Sequence, residues 1–217
     1  HSWAEDETHL NFINRGLWTN TKLVGTPEPP PPFKAVPIYT NQVWRSPMFL
    51  AAEPQTKRLL ALLHHGQGVP TQLVAFEDDP KVKKREILLE LPGRNVYSFC
   101  FDPKYTENGF IYLFSNLNIE AFEGKKANRI SRFKLAKSSS TIDLASEHII
   151  IEWRSGGHDG GGIDFGLDGM LYISTGDGTS DSDTWLSGQT LDDLLGGVLR
   201  IDVRETNAKN PYKIPKD

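Results

Sequence analysis

A chain of 217 residues with 38% hydrophobic side chains carries enough apolar material for one large domain or two small ones, which excludes a disordered polypeptide. Its 24 Lys and Arg against 28 Asp and Glu, a net charge of −4, exclude a general nucleic-acid binder, which needs a basic face to displace counterions from phosphates. The longest apolar run, Leu59 to Leu63, falls far short of the roughly 18 residues of a membrane-spanning helix. One cysteine, Cys100, excludes an internal disulfide and a zinc site built from thiolates. The sequence opens on His1 with no charged-then-apolar stretch behind it, so a signal peptide is expected outside this chain.

Residues 1–32 read as a polar leader and a proline-rich linker. Leu10, Phe12, Ile13 and Leu17 form only a weak apolar set, and the run from Thr26 to Pro32 removes backbone donors and favours an extended, stiff spacer. A docking ligand for a proline-reading module is the alternative for that run. From Phe33 onward, residues 33–217, short β-type runs are separated by Gly, Pro, Asn and Asp, with almost no helical period. Three cycles are predicted. Met48–Ala52, Leu59–His64, Gln72–Phe76 and Glu86–Leu91 make the first; Val96–Phe101, Phe110–Ser115, Arg129–Leu135 and His148–Trp153 make the second. Gly162–Phe165, Met170–Thr175 and Gly197–Val203 supply three strands of a third.

Two of these cycles share a strand, a turn, a glycine and then an apolar-apolar-Tyr-apolar run, around Tyr112 and Tyr172. Four antiparallel strands recurring at about 40–60 residues predict an all-β fold, an incomplete β-propeller of about three four-stranded blades with an irregular N-terminal leader, because one small sheet cannot bury both faces until neighbours stack on it. A β-sandwich is the alternative that strand number alone permits. Propellers close with about four to eight blades, so the chain is expected to be a fragment of a longer protein.

Two stretches carry candidate chemistry. In Gly156-Gly157-His158-Asp159-Gly160-Gly161-Gly162, five glycines raise the entropy cost of ordering, which is expected where a backbone must approach something closely. His158 there suits proton abstraction near neutrality, although a lone histidine in a Gly-rich turn also occurs as a plain polar loop residue. In the stretch from Ser174 to Asp183, Asp177, Asp181 and Asp183 are candidate ligands for a hard cation such as calcium, without the EF-hand spacing, and Asp-Gly pairs also serve simply as turns. His64 and His65 are adjacent at a strand end, so the pleat sends them to opposite faces. Lys81, Lys83, Lys84 and Arg85 read as a solvated loop, and Cys100 as a packed apolar residue. No phosphate-cradling loop, dinucleotide glycine motif or nucleophile elbow is present.

Taken in order, the run from His158 to Tyr172, then Gly176-Asp177-Gly178, then the run from Leu195 to Val203 resembles the soluble glucose/sorbosone dehydrogenase family. Phe99 to Tyr105 with Asn108 to Tyr112 looks like that family's preceding blade, and the likeness spans about residues 40–217. The resemblance implies half of a six-bladed propeller that uses pyrroloquinoline quinone and calcium to oxidise aldoses or other alcohols, periplasmic or secreted, with an electron acceptor such as a cytochrome. It implies His158 as general base while hydride passes to the quinone, with Gly157, Asp159 and Gly160 beside the cofactor and the main cofactor ligands outside this chain. The isolated 217 residues are then expected to be inactive. Gly157, Leu167 and the absence of a glutamine near Gly93-Arg94-Asn95 depart from the family pattern and leave the substrate open. Two other functions fit such a propeller: a binding module without cofactor, and a calcium-dependent lactonase-like hydrolase.

Overall fold

The computed structural model describes residues 34–64, 66, 68–122, 125–135, 141–179, 181–207 and 209–216. The leader and proline-rich linker expected over residues 1–32, and His65, lie outside them. The chain divides into residues 1–37 and 38–217, and every strand of the described residues belongs to the second unit.

Three antiparallel meanders follow one another. The first sheet is β1 (Pro47–Ala52), β2 (Arg58–Leu63), β3 (Thr71–Glu77) and β4 (Glu86–Leu91), hydrogen-bonded in chain order. The second is β5 (Arg94–Phe101), β6 (Phe110–Phe122), β7 (Lys125–Lys134) and β8 (His148–Arg154), again in chain order. The third is β9 (Gly160–Phe165), β10 (Leu171–Thr175) and β11 (Val198–Ile201). All eleven strands fall where the turn residues and apolar runs predict them. The β6–β7 hairpin runs further than expected, with β6 continuing to Phe122 and β7 starting at Lys125.

The second sheet is buried on both faces, and this explains its continuous apolar runs. Ile111 and Leu113 of β6 join Leu60, Leu62, Leu73 and Leu91 of the first sheet in one core. Their neighbours Tyr112 and Phe114 point the other way, into a core with Ile163, Leu171 and Ile173 of the third sheet. A pleat buried on one side reads apolar-polar-apolar; one buried on both reads Phe-Ile-Tyr-Leu-Phe. Each fully buried leucine or isoleucine contributes about 2–3 kcal/mol of transfer free energy, so the sheets hold one another by their faces. On its other face the first sheet packs Leu63, Val74 and Phe76 against Tyr39 and Trp44, from a segment that strand patterns do not mark.

The first strands of the three sheets lie side by side. The Phe49 ring of β1 meets Phe99 of β5 edge-on at 5.2 Å, and the Ser98 hydroxyl of β5 donates to the Gly161 carbonyl of β9. Successive four-strand sheets with adjoining first strands are the blades of a β-propeller, here two of four strands and one of three. Between β5 and β6 a helical turn, Tyr105–Asn108, ends on Gly109 at φ +71°, where a Cβ would collide with the Leu135 carbonyl oxygen.

Candidate active site at the entrance of β9

In an antiparallel meander the link into the first strand and the loop leaving the second emerge at the same end of the sheet. The link Ser155–Asp159 therefore meets the loop that follows Thr175. The β9–β10 ladder pairs Phe165 with Leu171 and, past a bulge, Gly160 with Thr175. Continued two residues further, it sets position 158 against position 177. The His158 amide donates to the Thr179 carbonyl, and the Gly178 amide donates to the His158 carbonyl at 2.9 Å.

His158 Nδ1 stands 3.3 Å from Asp177 Oδ1, and the imidazole is about half exposed (54%) while the carboxylate is mostly covered (19%). The Thr179 amide (3.1 Å) and hydroxyl (2.9 Å) both donate to Asp177. The Thr179 amide foremost, with that hydroxyl and the neighbouring imidazole, outweighs the upward pull of burial and holds the Asp177 carboxyl below the usual carboxylate range. An ionised carboxylate beside Nδ1 favours the tautomer that carries its proton there, leaving Nε2 with a free lone pair.

Asp159 points the opposite way. It is 6% exposed, with Asn128 Nδ2 donating to Oδ1 at 2.9 Å and Asn116 Nδ2 donating to Oδ2 at 3.1 Å. Asn116 also reaches Ser155 Oγ. Burial, and then the charge of Asp159, push the Tyr97 phenol up.

The glycines allow the close backbone approach expected of them, and at Gly156, Gly160 and Gly161 the close partner is the chain itself. A Cβ on Gly156 would strike the Gly178 carbonyl and come within 2.6 Å of the Trp185 ring. One on Gly160, at φ +82°, would lie 2.6 Å from the Ser174 carbonyl oxygen, and one on Gly161 2.7 Å from Tyr97 Cβ. Gly157 lies on the exposed rim beside His158. Arg154 stacks on Trp185 with 4.1 Å from its guanidinium carbon to the ring centroid and faces Asp193 at 3.5 Å.

Asp177, Asp181 and Asp183 do not converge. Asp177 faces His158; Asp183 takes the amides of Ser187 (2.7 Å) and Gly188 (2.9 Å), capping the 3-10 turn Ser187–Gln189; Asp181 is exposed. Among the described residues no group of three or more His, Cys, Asp and Glu side chains is placed to hold a metal. The described residues of this loop therefore offer no carboxylate set for calcium. Sequence reasoning missed the pairing of His158 with Asp177, which depends on the bulge in the β9–β10 ladder, and missed Asn116, Asn128 and Trp185, which carry no local signal.

Three stacked blades thus set an imidazole with a carboxylate behind it at the entrance of β9. The family model for Glucose / Sorbosone dehydrogenase matches residues 96–215, and the chain belongs to that family. It is 33% identical over 129 residues to the Hedgehog-interacting protein of Homo sapiens, covering 57% of this chain and 18% of that protein. The fold is similar to that of the PQQ-bound aldose sugar dehydrogenase from Streptomyces coelicolor, with a TM-score of 0.60 at 22% identity, covering 83% of this chain and 52% of that one. It is also similar to the apo-form soluble aldose sugar dehydrogenase from Escherichia coli, with a TM-score of 0.58 at 19% identity, covering 80% and 46%. The chain thus spans about half the length of these solved relatives. Among the described residues no helix is long and apolar enough to cross a membrane.

Proposed function

We propose that the protein to which this chain belongs is a quinone-dependent sugar or alcohol dehydrogenase, with His158 as its general base. The observation that carries this reading is the 3.3 Å approach of Asp177 to His158 Nδ1. With Nδ1 occupied, Nε2 is left to accept the hydroxyl proton of a bound alcohol as its carbon is oxidised. Removing that proton as hydride leaves avoids a high-energy protonated carbonyl, and Asp177 stabilises the imidazolium that results. Pyrroloquinoline quinone, when bound, supplies the hydride acceptor.

Gly157, on the open rim, and Gly160, at the start of β9, lie beside His158 where backbone groups would border the quinone; Asp159 would act from beneath. Calcium and the cations for the quinone's carboxylates would come from parts of the protein outside this chain. A periplasmic or secreted location, and an electron acceptor such as a cytochrome, go with this reading. Its test is dye-linked oxidation of aldoses by the intact protein reconstituted with quinone and calcium, with His158→Gln alongside.

The 33% identity to the Hedgehog-interacting protein favours a second reading, a propeller kept for binding another protein. Quinone titration separates the two: a binding module takes up no stoichiometric quinone. A lactonase-like hydrolase draws no support from the described residues.

A further inference from the structure

We propose that Asp159 is a positioning residue that fixes His158 from beneath, by anchoring the β8–β9 link to the second sheet. The two side chains are successive and opposed: the imidazole stands in the open while the next carboxylate is buried. Among the described residues no cation stands within ion-pair reach of this carboxylate, so hydrogen-bond donors must replace the water it has lost. Asn116 of β6 and Asn128 of β7 are those donors, one on each oxygen, and Ser155 at the start of the link reaches the same Asn116.

The link is therefore tied to the second sheet through side chains and to the 176–179 loop through the main chain, where His158 exchanges hydrogen bonds with Thr179 and Gly178. A two-residue unit held from both sides has little freedom to swing its exposed member. Without Asp159 the second sheet holds the link only at Ser155, through Asn116 and the Lys126 carbonyl, and the imidazole loses its fixed relation to Asp177. The catalytic consequence rests on the dehydrogenase reading; the clamp itself does not.

The experiment follows the intact protein by hydrogen exchange at the His158 and Gly178 amides and by the ring carbon resonance of His158, assigned by its loss in His158→Gln. In Asp159→Ala these two amides exchange about tenfold faster or more, and the ring signal broadens or splits. Asp159→Asn, which keeps an acceptor in place, restores much of the protection. In the quinone-loaded protein Asp159→Ala lowers kcat about ten- to a hundredfold with KM little changed. Unchanged exchange at both amides overturns the proposal. Should Asp159→Ala loosen the whole protein, Asn128→Ala decides: faster exchange confined to the link upholds the clamp, and uniform or absent change overturns it. A wild-type protein without dehydrogenase activity refutes the proposed function and leaves the exchange test standing.

Discussion

The imidazole of His158 and the carboxylate of Asp177 meet at 3.3 Å from opposite ends of the β9–β10 hairpin, one just before β9 and the other just after β10. Two strands of one sheet thus set the imidazole against the carboxylate, with no long loop in between. Asp177→Asn keeps the shape and removes the charge that favours a proton on Nδ1. It is predicted to lower kcat of the quinone-loaded protein about a hundredfold, with thermal unfolding little changed. A kinetically silent Asp177→Asn would separate the carboxylate from the chemistry.

Gly176 marks the tightest point of that arrangement. A Cβ there would overlap the His158 carbonyl oxygen and lie 2.9 Å from the Gly160 amide nitrogen, so Gly176→Ala must push the two loops apart. The expected cost is about 1–3 kcal/mol in denaturant unfolding. Unfolding at the wild-type midpoint would show that the loops yield freely.

At the opposite end of the blades Glu53 is buried, with Arg58 giving it two hydrogen bonds at 2.7 and 3.0 Å and Tyr105 a third at 2.6 Å. Burial drives its carboxyl upward, but Arg58, Tyr105 and Thr56 together outweigh this and leave it lowered. A group depressed in the folded state stabilises fully above its unfolded value, near 4.3, and loses that contribution as pH falls through the lower folded value. Glu53→Gln should cost about 1–3 kcal/mol at pH 7, and the penalty should shrink below about pH 4. A penalty that stays constant from pH 7 to 3 would contradict the assignment.

Cys100 is 6% exposed in the core between the second and third sheets, and burial pushes its thiol well up. A thiol reagent at pH 8 should modify it only as the protein unfolds, at the rate of global opening. Stoichiometric labelling of the native protein within minutes would mean that the two sheets part readily.

The sheets were legible in the sequence because turn residues and apolar runs are local signals: Gly109 before Phe110-Ile111-Tyr112-Leu113 and Gly169 before Met170-Leu171-Tyr172 mark the same hairpin twice. His158 was legible because five glycines isolate it. The meaning of those glycines was not, because whether a bare backbone faces a ligand or a neighbouring loop depends on packing between segments, and Gly156 lies against Gly178 and Trp185. Asn116 and Asn128 were silent for a related reason: each is an ordinary polar residue in a hairpin, and only the stacking of the third sheet on the second brings them to Asp159.

Turnover of an aldose by the intact protein, loaded with pyrroloquinoline quinone and calcium and compared with His158→Gln, tests the central claim most directly. The account predicts dye-linked oxidation by the wild type and a loss of at least about a hundredfold in the variant, with quinone binding retained. Equal turnover by the two proteins, or a wild type that binds no quinone, would contradict it.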